Sequence, residues 1–225
     1  IIELLLAMSF VAALLIGIAL TIVQIGATYN RGLTLKEVNQ TGRSISDDIR
    51  RNLAGSNSFN ATTNFVTPPD GSGGRLCTGQ FSYIWNYAQA LDESRSGVVE
   101  YVGTETPVRL VKLRDASSAY CARNGAAFTY QDIRTVDQDT AIELLTEGDR
   151  ALSIHDFQLT TPANGADGLT GQQLYTASFV IGTGDTAALT DDKRSCKAPG
   201  LPGADFTYCA VQEFSLVIRV GNRVN

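Results

Sequence analysis

The first residues of the chain form an apolar run that constrains the fold more than any other feature. Between Ile1 and Ile25 the only charged side chain is Glu3, and about twenty helical residues are enough to cross the hydrocarbon core of a membrane. The run is also longer than the apolar part of a secretory signal. We therefore expect residues 1–29 to form a hydrophobic helix that suits a membrane.

The helical pattern continues beyond this apolar run. Apolar residues recur three or four positions apart, with Gly42 filling one step, at Leu35, Val38, Ile45, Ile49 and Leu53. This stripe predicts that residues 30–54 extend the same helix and pack against a head domain. An unbroken helix over 1–53 would be roughly 80 Å long. A domain of this size cannot bury it all, so its first half must lie in lipid or against copies of itself.

Residues 55–225 are expected to form a β-rich head, because polar, turn-forming stretches separate short apolar segments. Residues 57–74 are predicted to be a surface loop, and 139–146 a short helix. The last strand is expected to slip in register near Gln212. The predicted strands are 81–87, 98–102, 108–113, 126–130, 151–160, 174–181 and 208–220. Together with the long helix they predict an α+β protein with an antiparallel sheet.

Four cysteines all lie after the apolar run. An even number on one side of such a helix indicates two disulfides in an oxidising compartment, with four reduced thiols in a cytosolic protein as the alternative. Three pairings are possible. We favour Cys196 with Cys209 and Cys77 with Cys121, because the first pair closes a loop, KAPGLPGAD in its centre, that has little else to order it.

The head shows no pattern that predicts catalysis. His155 is the single histidine and has no catalytic partner in the pattern. The acidic residues that could bind calcium lack the spacing of a calcium-loop motif, which favours solvated loops; they are Asp132, Asp137, Asp139, Asp191 and Asp192. The glycine-rich stretches near Gly71 and Gly182 lack the lysine of a phosphate-binding loop. We expect no enzyme, no cofactor and no metal site. The net charge of −5 and the pI near 4.9 do not favour nucleic acid as a partner.

The run IIELLLAMSFVAALLIGIAL resembles the N-terminal helix of type IV pilins and pseudopilins, and the continuation GRSISDDIRRNL resembles that of minor pilins. The resemblance implies a long helix carrying an antiparallel sheet head, often closed by a disulfide near its C-terminus, where Cys196 and Cys209 lie. The family glutamate normally has four residues ahead of it, and Glu3 has two. We therefore expect two further residues to precede Ile1 in the mature chain.

Glu3 is expected to act in assembly. A buried carboxylate needs a cation or takes up a proton, and residues 1–29 contain no Lys, Arg or His. The cation must therefore come from another molecule, and the resemblance implies the free N-terminal amine of a neighbouring subunit. The alternative is that Glu3 lies among lipid headgroups and complements its own helix dipole. Close helix packing is expected around Ala7, Ala12, Ala13, Gly17 and Ala19.

The resemblance implies a structural subunit of a type IV pilus at the cell surface, serving adhesion, motility or DNA uptake. Its expected partners are identical or homologous pilin subunits and the inner-membrane assembly machinery, and it is expected to lie in the cytoplasmic membrane before assembly. One alternative is a minor pseudopilin of a type II secretion or competence machine. Another is an enzyme or binding domain for which the helix is only a membrane tether.

Overall fold

A computed structural model describes residues 2–95, 97–124, 127–128, 133–145, 151–163, 165–167 and 170–221. In chain order the elements are α1 (Ile2–Ala54), α2 (Ala61–Asn64), β1 (Phe65–Val66), β2 (Gly73–Cys77), β3 (Phe81–Asn86), α3 (Ala88–Asp92), β4 (Glu100–Tyr101), β5 (Leu110–Arg114), β6 (Arg123–Asn124), β7 (Ala127–Phe128), β8 (Thr135–Val136), β9 (Ala141–Glu143), β10 (Leu152–Thr160), β11 (Gln173–Thr183) and β12 (Val211–Val220). The chain is an α+β protein whose larger sheets are antiparallel.

The predicted long helix is confirmed as a single element of 53 residues. Its C-terminal half buries Thr34, Val38, Gly42, Ile45, Ile49 and Leu53. The predicted stripe is therefore confirmed from Val38 onward, but Leu35 is 37% exposed and Thr34 takes the buried position. Thr34 can be buried because its hydroxyl donates a hydrogen bond to the carbonyl of Asn30 at 3.0 Å.

The strand β12 runs alongside α1 in the same direction. The ring of Phe214 lies against Gly42, where an added Cβ would overlap it, and the amide of Gly221 donates to the carbonyl of Ser56 at 3.1 Å. From Gly42 to its end at Ala54 the helix advances about 18 Å, and from Phe214 to its end at Val220 the strand advances about 20 Å. The matched advance explains why one stripe of α1 stays on one strand.

Strands β10, β11 and β12 form an antiparallel sheet in that order, close to the predicted bounds. The predicted register slip near Gln212 is wrong, because the β11–β12 pairing continues without a shift from Gly182 opposite Val211 to Gln173 opposite Val220. The irregularity lies in β10, where His155 is the extra residue between Ile154 and Asp156. Its Nε2 lies 3.0 Å from the carbonyl oxygen of Thr183, which holds the bulge in place.

A second sheet of five strands has the order β1-β2-β3-β5-β9. Two predictions in this region are wrong. The expected loop over 57–74 contains α2 and β1, and β2 begins at Gly73. The expected helix over 139–146 is replaced at Ala141–Glu143 by β9, which pairs antiparallel with β5, while residue 146 lies outside the described residues. The Glu143 carboxylate accepts the amides of Arg109 and Leu110, which fixes this segment on the sheet.

The remaining short strands form two pairs. β4 pairs with β8 in parallel, and β6 pairs with β7 antiparallel. The strand expected over 98–102 is therefore reduced to Glu100–Tyr101. Of the strand expected over 126–130, Ala127–Phe128 forms β7, and its other residues lie outside the described residues.

The main core lies between α1 and the two larger sheets. Trp85 and Phe157 contact each other there with ring centroids 4.4 Å apart, and Phe157 and Phe179 continue the aromatic cluster at 5.6 Å. A parallel bridge between Tyr87 and Ile154 joins the sheets at one end. A smaller core on the other side of the five-stranded sheet contains Ile84, Val99, Val108, Val111, Leu113 and Val136.

Both favoured disulfides are present. Cys77 on β2 is bonded to Cys121, and Cys196 is bonded to Cys209, with sequence separations of 44 and 13 residues. No free cysteine occurs among the residues that the structure describes. The second bond closes the segment that leads into β12, and this segment is called the disulfide loop (residues 197–208) below.

Candidate assembly surface

The N-terminal half of α1 makes no contact that buries it. Every residue from 2 to 26 is exposed, including large side chains such as Leu4, Phe10 and Leu20. By length and composition alone this helix could cross a membrane, which is weak evidence that it is a membrane anchor or a signal segment. Among the residues that the structure describes, the large continuous apolar surface of a single chain is therefore this half-helix.

The predicted assembly residues divide between two sides of this half-helix. With an advance of about 100° per residue, Glu3, Ala7, Ala13 and Gly17 fall within an arc of about 120°. Ala12 and Ala19 fall on the other side. The regular helix thus brings four of these residues to one face, called the Glu3 face, and separates the other two from it.

Three polar residues extend the Glu3 face beyond Gly17, and the sequence reasoning did not single them out. They are Thr21, Gln24 and Thr28, which share a shallow groove with Ile25 and Tyr29. The Thr21 hydroxyl donates to the Gly17 carbonyl at 2.8 Å, and the Thr28 hydroxyl donates to the Gln24 carbonyl at 3.0 Å. Their spacing of three and four within an apolar run is the sequence signal that could have found them.

Glu3 lies in the first turn of α1, at the positive end of the helix dipole. The first cation along the chain is Arg31, about 42 Å further along the helix axis. A charged partner for Glu3 within this helix is thus out of reach.

A polar cluster fixes the other half of α1 on the head. The Asp48 carboxylate accepts from Lys112 Nζ at 2.9 Å and from the Tyr83 hydroxyl at 2.8 Å. Asn52 Nδ2 donates to the Tyr83 hydroxyl, also at 2.8 Å. Burial, together with the bond to Asp48, raises the pKa of Tyr83. These polar side chains form hydrogen bonds with one another in a partly buried place. They therefore fix the position of α1 on β3 and β5.

Burial of α1 begins where the disulfide loop reaches it. Ala27, Asn30 and Arg31 are the first partly covered residues, and the Arg31 guanidinium carbon lies 4.4 Å from the centroid of the Phe206 ring. The junction between the two halves of α1 is therefore in contact with the loop that Cys196 and Cys209 close.

The head also carries a cleft of about 500 Å³ between α3, the ends of β10 and β11, and the disulfide loop. On its wall Arg109 Nη1 donates to the Ser153 hydroxyl at 2.7 Å, and the buried Thr183 hydroxyl has no hydrogen-bond partner within the described structure. The Nε2 of the buried His155 lies 3.0 Å from the carbonyl oxygen of the same Thr183, and burial lowers the pKa of His155 to about 4. No cluster of three or more potential metal ligands occurs among the described residues.

These features define an α+β protein with an apolar N-terminal helix, two disulfides and a β-rich head. No family model, curated protein or solved structure matches the chain.

Proposed function

We propose that this chain is a structural subunit of a helical filament of the type IV pilus kind, held in the cytoplasmic membrane by α1 until it assembles at the cell surface. One observation carries the proposal: a single helix is fixed to the head along residues 34–53 and leaves residues 2–26 exposed. A flexible tether would not need this continuous helix docked on the head. A projecting helix with an apolar surface is suited to bundling with copies of itself.

Assembly requires more than apolar surface. A helix that leaves lipid for a bundle gains no hydrophobic energy, so packing and polar contacts must favour the bundle. The Glu3 face supplies small residues at Ala13 and Gly17 for close approach. A carboxylate at Glu3, paired with a cation of a neighbouring subunit, sets the register between helices. The partners are identical or homologous subunits and the inner-membrane machinery that delivers them.

The disulfides support an oxidising location for the head. A head outside the cytoplasmic membrane would form the exterior of the filament. In a minor pseudopilin of a secretion or competence machine, the same chain would form a tip instead of a shaft. Electron microscopy of sheared material distinguishes these two cases, because a shaft subunit forms the bulk of the filament.

The test of the assembly role is Glu3→Ala. Filaments should become scarce while the subunit persists in the membrane, because the registering contact is lost and the head is untouched. Asp47→Ala is the matched control, since Asp47 is an exposed acid on the head half of the same helix. Glu3→Gln should resemble Glu3→Ala if the charge matters. Normal filament numbers from Glu3→Ala, at equal membrane levels of subunit, would remove the main support for assembly.

A second candidate is a binding domain for which α1 serves as a membrane tether. The cleft with Arg109, Ser153 and the unpartnered Thr183 hydroxyl favours it. On this alternative, Glu3→Ala leaves the protein in the membrane and no filament is lost, since none forms. Immunogold labelling of sheared filaments with antibody against the head separates the two candidates.

A further inference from the structure

The disulfide loop carries a concentration of exposed apolar and aromatic side chains. Leu201, Phe206 and Tyr208 are 52%, 46% and 50% exposed. The other large apolar side chains exposed on the described part of the head lie on or beside three separate strands: Val102, Ile142 and Val217. Within the described part of the head, the disulfide loop is therefore the segment in which three such side chains occur within eight residues of one another, whereas the others are isolated.

This loop lies at the level where the apolar run of α1 ends. The Phe206 ring covers the guanidinium of Arg31 at 4.4 Å. Because side chains on a helix lean toward its N-terminus, the Arg31 head group covers the turn before its own Cα. Phe206 thus lies level with residues 27–31, about 3–9 Å along the axis beyond Ile25.

We propose that the disulfide loop is an interfacial membrane anchor, and that the surface it occupies is the headgroup layer of the phospholipid bilayer that α1 crosses. This inference rests on the proposed membrane insertion of α1. The headgroup layer is roughly 5–7 Å thick on each side of the hydrocarbon core, which matches the level of Phe206. Aromatic side chains are enriched at that depth, where an apolar ring and a polar group are both accommodated.

The charge of the loop agrees with a phospholipid surface that carries no net charge. Within residues 197–208 the charged side chains are Lys197 and Asp205, which cancel. The Lys197 ammonium is also directed back to the carbonyl of Pro202 at 3.3 Å. The loop itself therefore adds no net charge beside Arg31, which lies against Phe206, and apolar contact at the interface is the main interaction of the loop.

The loop would give the head a second attachment point. A single helix leaves the head free to rotate about the helix axis over the membrane. Insertion of Phe206 and its neighbours on one side of α1 restricts that rotation, and the Cys196–Cys209 bond keeps the inserted segment short and closed. Subunits waiting in the membrane would then present their heads in a common orientation relative to the bilayer.

The test uses the full chain in phosphatidylcholine vesicles whose lipids are brominated near the top of the acyl chains. Phe206→Trp places a fluorophore in the loop, and Val217→Trp is the control, because Val217 is 62% exposed on β12. The native Trp85 is fully buried and gives a constant background. We expect several-fold stronger quenching and a blue-shifted emission for Phe206→Trp. Leu201→Trp repeats the measurement without altering the contact with Arg31.

Each outcome has a defined meaning. Failure of the chain to float with vesicles would overturn both the loop anchor and the membrane step of the proposed function. Flotation with equal quenching of the loop and β12 variants would overturn the loop anchor alone. Protection of Phe206→Trp from acrylamide in filaments, but not in vesicles, would assign the loop to a neighbouring subunit and also overturn the proposal.

Discussion

The two halves of α1 have the same backbone conformation and opposite surroundings. The C-terminal half presents one apolar stripe, and that stripe is buried against β11 and β12 of its own chain. The N-terminal half is apolar nearly all round and is exposed on every side. Since a one-sided stripe needs one partner surface and a helix that is apolar all round needs an apolar environment, the difference teaches that only the C-terminal half of α1 is completed by its own fold.

The comparison is tested most severely by two truncations. A chain of residues 30–225 should be soluble and monomeric, because the large exposed apolar surface is removed. A chain of residues 55–225 should fail to fold, because Val38, Ile45, Ile49 and Leu53 leave the core. Size-exclusion chromatography and near-UV circular dichroism measure both results. An insoluble 30–225 chain, or a folded 55–225 chain, would contradict the division of α1.

A pair of leucine substitutions, one in each half of α1, should have different effects on the stability of the head. Leu53→Ala should destabilise the head by about 2–5 kcal/mol, because Leu53 is fully buried. Leu15→Ala should leave the unfolding of the head unchanged, since Leu15 is exposed in a single chain. Denaturant titration in detergent micelles, followed by fluorescence of the single, buried Trp85, reports both. Equal losses for the two variants would show that the halves do not differ as described.

Acid should lower the free energy of unfolding of the head because His155 is buried. The pKa of this imidazole is about 4 in the folded chain because burial disfavours its charged form, against about 6.5 in an unfolded chain. Between those pH values only the unfolded state takes up the proton, so stability is lost as the pH falls from about 6.5 to about 4. The loss should be about 3 kcal/mol.

This pH effect is tested by comparing the 30–225 chain with its His155→Gln variant. Urea unfolding at pH 7, 5.5 and 4 should show a shallower decline for the variant, because the carboxylates are common to both proteins. Parallel declines would mean that His155 does not contribute to the acid sensitivity of the head.

A pair of glycine substitutions, one in each half of α1, should produce the smallest difference in the stability of the head. Gly42→Ala introduces a Cβ that overlaps the Phe214 ring and should cost about 1–3 kcal/mol. Gly17→Ala meets no atom within 4 Å, so the melting temperature of the head should not fall. If the Glu3 face packs in the filament, Gly17→Ala should still reduce filament yield. A lower melting temperature for Gly17→Ala would argue against an independent N-terminal half.

The long helix and the main strands could be predicted because their signals are local. The three-to-four spacing from Val38 to Leu53 fixes the buried face of α1, and alternating apolar residues mark β10 to β12. The helix predicted over 139–146 is wrong at Ala141–Glu143, because pairing with β5 and the bonds of the Glu143 carboxylate to the Arg109 and Leu110 amides override the helical pattern. Such contacts join residues that are distant in the sequence, from Leu113 opposite Ala141 to Arg109 on Glu143, and no local pattern encodes them.

The bulge at His155 illustrates the same point. Its position depends on the hydrogen bond to the Thr183 carbonyl across the sheet, at 3.0 Å. The sequence showed a strand there but not which strand would hold the extra residue. For the proposed assembly surface, Glu3 and the small residues remain a prediction from the sequence. Thr21, Gln24 and Thr28 join them on the same side of the regular helix, and their spacing of three and four is also visible in the sequence.

The side-by-side course of α1 and β12 determines how the chain would respond to mechanical force. Tension applied along α1 would load its contact with β12 in shear, because both elements advance in the same direction from Gly42 and Phe214 to Ser56 and Gly221. In shear the contacts along the interface resist together, whereas a peeling force would break them one at a time. The Asp48–Lys112 ion pair ties the same helix laterally to β5. A pull on the projecting half of the helix would therefore be distributed over the whole length of the head.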